Sequence, residues 1–273
     1  MNAIILGDGG FGRAIAAALV DRGEPEPRVL GRPARGRHDP GDLGPVPSGE
    51  PLTGASVVFD ASRGEAVHGN VTAALAAGHR RFVIGTTAWD DARPTVEREL
   101  RDHGAVAVAA SNLSLGVALF GRLVDRAVEL FGPVEAFDPY IVEWHRRTKA
   151  DRPSGTAKEL SRRILAAHPR KSRLADPRRD GPTEPEELDV AVVRAGGNPG
   201  SHLVGFDAVG ESVELRIVAH DRSAYALGAL AAADWLAAAP RRAGLHGFDE
   251  VVGDILDRER RPTERPVLVA LPS

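Results

Sequence analysis

The chain has 273 residues, 42% of them hydrophobic and 27% charged, with a formal net charge of −3. That length suits one large domain or two moderate ones of an ordinary soluble protein, and the charge gives no electrostatic case for nucleic acid or a membrane surface as partner. The absence of cysteine excludes disulfides, thiolate metal sites and cysteine nucleophiles and suits a cytoplasmic protein, while no run of about 18 apolar residues announces a membrane span.

Ala3–Leu6 reads as a strand, which leaves no room ahead of it for a signal peptide. Gly7-Asp8-Gly9-Gly10-Phe11-Gly12 follows and matches G-x-G-x-x-G between an apolar strand and a helix over 13–21. The first glycine permits the tight turn, Gly9 lets backbone approach a pyrophosphate, and Gly12 allows close helix–strand packing. The second strand, Arg28–Leu30, ends without the carboxylate that binds an NAD ribose. Arg32, Arg35 and Arg37 come next, and guanidinium groups suit a 2′-phosphate, so NADPH is expected ahead of NADH. Residues 31–54 are rich in Gly, Pro and Arg and read as loop.

Strand signals at 57–59, Arg81–Ile84 and 105–109 alternate with helical patterns at 66–77 and 95–102, arguing for a parallel sheet with helices on both faces. Asp60-Ala61-Ser62 and Gly85-Thr86-Thr87 close two of these strands at carboxyl ends, where open α/β sheets bind ligands. A helix is expected over 115–130. The pattern then changes to a strand at 134–144, a helix at Gly155–Ala167, a polar loop at 168–187, and strands at 188–194, 202–206 and 212–218. The last two flank a short hairpin connection at Ala208-Val209-Gly210. A final Ala/Leu helix is expected at 224–238, and the tail from 258 has no clear assignment.

The stretch from residue 143 to 160, EWHRRTKADRPSGTAKEL, concentrates the chemistry. His145 and Lys149 are proton-transfer candidates on a loop ahead of Ser154-Gly155-Thr156. That tripeptide reads as a helix start, whose unpaired N–H groups and dipole attract anions. Lys149 is one of three lysines beside 32 arginines, and lysine, unlike arginine, can give up its proton near neutrality. Thr156 and Glu159 fit a T-x-x-E capping box. Arg194, His202 and Arg222 flank later strands and singly read as surface residues.

Together these motifs resemble the 4-hydroxy-tetrahydrodipicolinate reductase (dihydrodipicolinate reductase) family nearly end to end. GDGGFG, IGTT and SNLSLGV (Ser111 to Val117) resemble family segments, as do VRAGGNPGSHLVGF and RSAYALGALAAADWL. The most specific match is E-x-H-x-x-x-K-x-D-x-P-S-G-T-A, met from Glu143 to Ala157. The resemblance implies a Rossmann-type parallel-sheet domain from residues 1–115 and 223–273. It also implies an α+β substrate domain with a mixed sheet over 116–222, through which the family forms a homotetramer. The implied reaction is hydride transfer from a nicotinamide cofactor to a cyclic imine dicarboxylate, with no metal. Carried over, His145 and Lys149 are catalytic, and Arg146, Ser154, Gly155, Thr156 and Arg222 bind substrate. Gly7, Gly9, Gly10, Phe11, Gly12, Arg32, Gly85, Thr86, Thr87, Ser111 and Asn112 bind cofactor, NADPH with NADH as the alternative.

The chain departs from the family pattern at Trp144, Arg146, Leu113, Ala88 and Ile217, positions that the pattern puts around the substrate pocket and the cofactor-facing loops. Two rival readings therefore stand beside the lysine-pathway reaction: a paralogue reducing another cyclic imine or enamine acid, and a non-catalytic NADP(H)-sensing protein.

Overall fold

The computed structural model describes residues 1–31 and 57–260. Two sheets organise it. The first runs β1 (Ala3–Leu6), α1 (Gly10–Asp21), β2 (Arg28–Leu30), β3 (Val57–Asp60), α2 (Gly64–Ala76), β4 (Arg81–Ile84), α3 (Arg93–Asp102) and β5 (Val106–Ala109). The second takes over after α4 (Leu115–Phe131). It comprises β6 (Asp138–His145), α5 (Gly155–Ala167), β7 (Arg173–Leu174), β8 (Glu187–Arg194), β9 (Gly200–Ala208) and β10 (Glu211–Ala219). The chain then returns through α6 (Ser223–Ala238) to β11 (Gly244–Gly247) and α7 (Phe248–Arg260).

The first sheet has the order β11-β5-β4-β3-β1-β2, with every described pair parallel. β1, β3, β4 and β5 are buried on both faces, so they read as short apolar runs without alternation. Ile5, Phe59, Val83 and Val108 face one layer with Ile15, Leu230 and Trp235. Ile4, Val58, Phe82 and Ala107 face the other with Val67, Val96 and Leu100. The order reverses between β1 and β3, and such a switch point opens the crevice where α/β sheets hold ligands.

The second sheet is mixed, with the order β10-β9-β6-β8-β7. β6 and β7 run parallel to β8, whereas β9 runs antiparallel to both β6 and β10. Among the described residues only one face is covered. Ile141, Val204 and Phe206 pack under Phe120, Val124, Leu160 and Ile164 of α4 and α5. The alternation of β6 follows from this: Ile141, Glu143 and His145 point inward, and Tyr140, Val142 and Trp144 outward.

Most expected elements form, with shifted ends. The strand expected at 134–144 starts at Asp138 and runs on through His145, and the loop at 168–187 contains the two-residue β7. β11 and α7 escaped the sequence reading. The Gly-Leu-His-Gly of β11 carries no β-branched or aromatic strand former, and its parallel pairing with β5 supplies what the local sequence lacks. The loop expected at 31–54 lies, past Gly31, outside the described residues, as does the tail beyond 260.

Ala88, where the family pattern has glycine, is the one non-glycine residue at positive φ among the described residues (φ 59°). Its carbonyl packs so tightly on Gly64 at the start of α2 that a Cβ there would collide with it. Left-handed backbone costs an L-residue about 1–2 kcal/mol. Ala88→Gly should therefore raise the unfolding free energy, by about 0.5–1 kcal/mol after the entropy of a freer unfolded chain is deducted. Urea titration of both proteins checks this, and no gain would mean that Ala88 is unstrained.

Candidate active site

The glycine loop spans the switch point. Gly7 has φ 116°, a conformation that suits glycine, and a Cβ there would strike the carbonyl of Ala61 beyond β3. A Cβ on Gly12 would strike the Gly7 carbonyl, whereas one on Gly9 would meet nothing within 4 Å. The loop thus leaves backbone open to solvent at Gly9, at the start of α1, which is the cradle a pyrophosphate needs. A Cβ on Gly10 would stand 2.6 Å from an Arg222 guanidinium nitrogen. Arg222, read as a substrate ligand, therefore lies over the glycine loop.

Other residues expected at the cofactor divide. Thr86 is buried, and its hydroxyl donates to Asp60 Oδ1 at 2.7 Å. The same carboxylate accepts from Ser62 Oγ at 2.6 Å and Asn70 Nδ2 at 2.8 Å. Thr86 thus fastens β4 to β3, while Thr87 is exposed. The Phe11 ring packs against Gly85 and Leu113. Ser111 is exposed, and Asn112 Nδ2 donates to Thr156 Oγ1 at 3.2 Å, tying the segment after β5 to the start of α5. Arg32 lies outside the described residues.

The second half of the site is built around Glu143, which has no solvent exposure. Its carboxylate accepts from the Ser154 N–H at 3.0 and 3.2 Å and from Arg194 Nη2 at 2.7 Å. Burial alone would raise this carboxyl; bonds from His202, Ser154 and Arg194 overcome that and hold it well below the carboxylate range. Arg194 also donates to the Asp151 carbonyl at 2.6 Å, and the Asp151 carboxylate pairs with Lys149 Nζ at 2.8 Å. One chain of contacts therefore runs from Glu143 to the ammonium.

His145 Nδ1 bonds the Pro199 carbonyl at 3.0 Å, which puts a proton on that nitrogen and leaves Nε2 as the acceptor of the neutral ring. Nε2 lies 3.4 Å from His202 Nε2 and 3.7 Å from Glu143 Oε2. Burial pushes the His145 imidazole below its ordinary range, and the charges of His202 and Lys149 add to the effect; the Pro199 bond and Glu143 oppose it. His202 Nε2 lies 3.1 Å from Ser154 Oγ. A cavity of about 210 Å³ is lined by Thr156, His202, Ser114, Ile217, Asp221 and Tyr225. It is walled by β9, β10 and the segment leading into α6, with the first turns of α4 and α5 completing the wall.

Several expectations change here. Arg194 and His202, read singly as surface residues, turn inward because Glu143 needs donors inside the protein: the Arg194 side chain is 3% exposed and His202 is buried. The N-cap of α5 is Ser154, whose hydroxyl accepts from the Ala157 N–H at 3.2 Å; Glu159 pairs with Arg162 and Arg163, so no Thr156–Glu159 capping box forms. Ser154 spends its N–H and its hydroxyl inside the protein. Gly155 and Thr156, with first-turn amides that a helix cannot pair internally, remain for an anion, and a Cβ on Gly155 would meet nothing within 4 Å. Arg146 is exposed and leans on Thr148. Trp144 points to the open sheet face and donates to the Ala195 carbonyl at 2.9 Å. Of the five departures, Ile217 alone lines the cavity.

Oε2 of Glu143 and the two Nε2 atoms lie within 4.8 Å of one another, a spacing that fits a metal ion, but Arg194 already neutralises the carboxylate. Glu143 was legible as the first residue of the motif; its partners were not, since β8 and β9 reach it only through sheet pairing.

Comparisons with known proteins give the chain its relatives. The family model for the C-terminus of dihydrodipicolinate reductase matches residues 116–252. The 4-hydroxy-tetrahydrodipicolinate reductase of Halorhodospira halophila is 36% identical over 245 residues, covering 87% of this chain and 88% of the relative. That of Cereibacter sphaeroides is 38% identical over 253 residues, covering 89% and 90%. Among solved structures, a dipicolinate-bound dihydrodipicolinate reductase from Paenisporosarcina sp. TG-14 superposes with a TM-score of 0.65 at 19% identity. It covers 90% of this chain and 97% of that one, and shows the shared fold.

The Glu143–Arg194 pair yields a prediction. Arg194→Met leaves a buried carboxylate uncompensated and should destabilise the protein by about 3 kcal/mol at pH 7. Stability drawn from Glu143 is complete above the unfolded carboxyl value of about 4.3 and is lost as pH falls through the depressed folded value. The deficit of the variant should therefore shrink on acidification. Urea unfolding at pH 7 and pH 4 tests both statements, and a deficit below about 1 kcal/mol at pH 7 contradicts them.

Proposed function

Because the chain belongs to the dihydrodipicolinate reductase family, we propose that it transfers a hydride from a reduced nicotinamide dinucleotide to the conjugated C=N system of a cyclic imine dicarboxylate. This is the reductive step of lysine and diaminopimelate synthesis. The observation that carries the reading is an open glycine loop overlain by Arg222, whose chain neighbours Asp221 and Ser223 line a cavity together with His202 and Thr156.

The nicotinamide supplies the hydride when bound. Gly7, Gly9 and Gly12 shape the loop that receives its pyrophosphate, and Arg222 adds positive charge beside Gly10. The amides of Gly155 and Thr156 orient one substrate carboxylate. Hydride arrival leaves negative charge on the ring. Lys149 stabilises that charge, and the His145–His202 pair holds the proton that discharges it. His145 is held by Pro199, and its Nε2 stands 3.4 Å from that of His202, which borders the cavity.

Arg32, Arg35 and Arg37 favour NADPH over NADH. Residues 1–115 and 223–273 form the dinucleotide-binding domain and 116–222 the substrate domain. A homotetramer is supported by the open sheet face, where Trp144 (40% exposed), Val193 and Val218 stand together in register. No helix among the described residues is long and apolar enough to cross a membrane, in keeping with the cytoplasmic residence proposed here. The paralogue reading loses support, since Trp144 and Arg146 do not wall the cavity. Ile217 does line it and keeps that reading testable.

Two experiments follow. With freshly generated hydroxy-tetrahydrodipicolinate, Lys149→Ala should lower kcat by about 10²-fold and leave NADPH affinity unchanged. In the parent protein kcat/KM should fall as pH rises, with a midpoint below the ordinary histidine value, as the buried His145 requires. Tight NADPH binding without turnover would reject the lysine-pathway substrate. Separately, Trp144→Glu should reduce the particle mass measured by light scattering, and an unchanged mass would rule out this face as the interface.

A further inference from the structure

Strand β2 ends at Leu30, and Gly31 follows. Doubly wound sheets place at this spot the acid that accepts a hydrogen bond from an NAD ribose 2′-hydroxyl, and the sequence near β2 lacks one. The fold supplies a carboxylate from another element. Asp8, second residue of the glycine loop, reaches across from β1 to β2. A Cβ added to Gly31 would stand 3.1 Å from Asp8 Oδ2 and 3.4 Å from its carboxyl carbon. Gly31 makes the room: a side chain there would crowd the carboxylate away.

The loop that carries Asp8 is anchored on both sides. The Gly7 N–H donates to the Leu30 carbonyl at 2.8 Å, locking the loop to the end of β2. The Arg13 guanidinium donates to the Asp8 carbonyl from the first turn of α1. Asp8 itself is exposed, and its carboxylate stands beside Gly31 at the end of β2. It also adjoins Gly9, where the loop backbone lies open. A dinucleotide with its pyrophosphate on that backbone would extend its adenosine ribose toward the end of β2, as this class of fold does.

We propose that Asp8 is a specificity-determining residue, which accepts a hydrogen bond from the ribose 2′-hydroxyl of NADH and repels the 2′-phosphate of NADPH. It replaces in space the acid that β2 lacks in sequence, and it keeps NADH usable whatever the arginines beyond Gly31 contribute. The proposal deepens the reading of the glycine loop as a dinucleotide site and rests on it.

The test is binding, measured without imine substrate. NADH and NADPH are titrated against the full-length protein and Asp8→Ala by nucleotide fluorescence. Removing a charged acceptor should weaken NADH about tenfold, and removing the repulsion should hold or tighten NADPH. The ratio of the two dissociation constants should therefore move at least about tenfold toward NADPH. A ratio within about threefold of the parent overturns the proposal. So does an equal loss of both nucleotides, which would mark Asp8 as shaping the loop alone. A parent protein that binds neither nucleotide rejects the dinucleotide site and this proposal together. A shifted ratio in a protein that turns over no imine upholds Asp8 and rejects the proposed reaction.

Discussion

A carboxylate sealed inside the protein near the end of β6 governs how the second sheet is assembled. An ionised group without water is tolerated only when donors surround it, and leaving one donor out costs several kcal/mol. Glu143 collects its donors from different elements: the Ser154 N–H at the start of α5, and the Arg194 guanidinium of β8. The rings of His145 and His202 close the shell at 3.7 and 3.6 Å. Satisfying this one group therefore fixes the start of α5 against the sheet. The helix dipole then faces the cavity, and the two imidazoles stand within contact of each other. Much of the chemistry attributed to the site is a by-product of solving that electrostatic problem.

The nucleotide side obeys a steric constraint. Glycines at 7 and 12 let β1, α1 and the turn after β3 approach more closely than any side chain would allow. Gly228 does the same for α6, since a Cβ there would collide with the Leu113 carbonyl. The return of the chain after β10 is thereby held on the segment leading into α4. Arg222 enters the same junction from just before α6 and lies over Gly10. Glycine loop, cavity wall and returning helix are consequently tied together at this junction.

The doubly wound sheet was readable because its strands are short apolar runs punctuated by glycine that alternate with Ala-rich helical stretches. The mixed sheet was readable in outline, since alternation along β6 and β10 follows from a single covered face. β11 was not, because a Gly-Leu-His-Gly segment becomes a strand only when β5 offers it an edge. The motif around His145 named one side of the site and stopped there. Arg194 and His202 lie about fifty residues downstream with unremarkable neighbours, and burial, which makes them matter, is a tertiary property. The same limit hid Asp8: in sequence it is an unassigned position of the glycine motif, and only the fold carries it to β2.

Neighbouring residues of β6 serve opposite sides. Glu143 and His145 face the cavity side, and Trp144 between them faces outward. Side chains in a strand reverse direction at every step, so a single-codon change of length ahead of Trp144 would expel the imidazole to solvent and turn the indole inward, into the place of the carboxylate after a deletion and of the imidazole after an insertion. Length in this segment is consequently far less negotiable than identity. Across descendants of this chain, substitutions can accumulate at the outward positions of β6, whereas gaps in it should be purged.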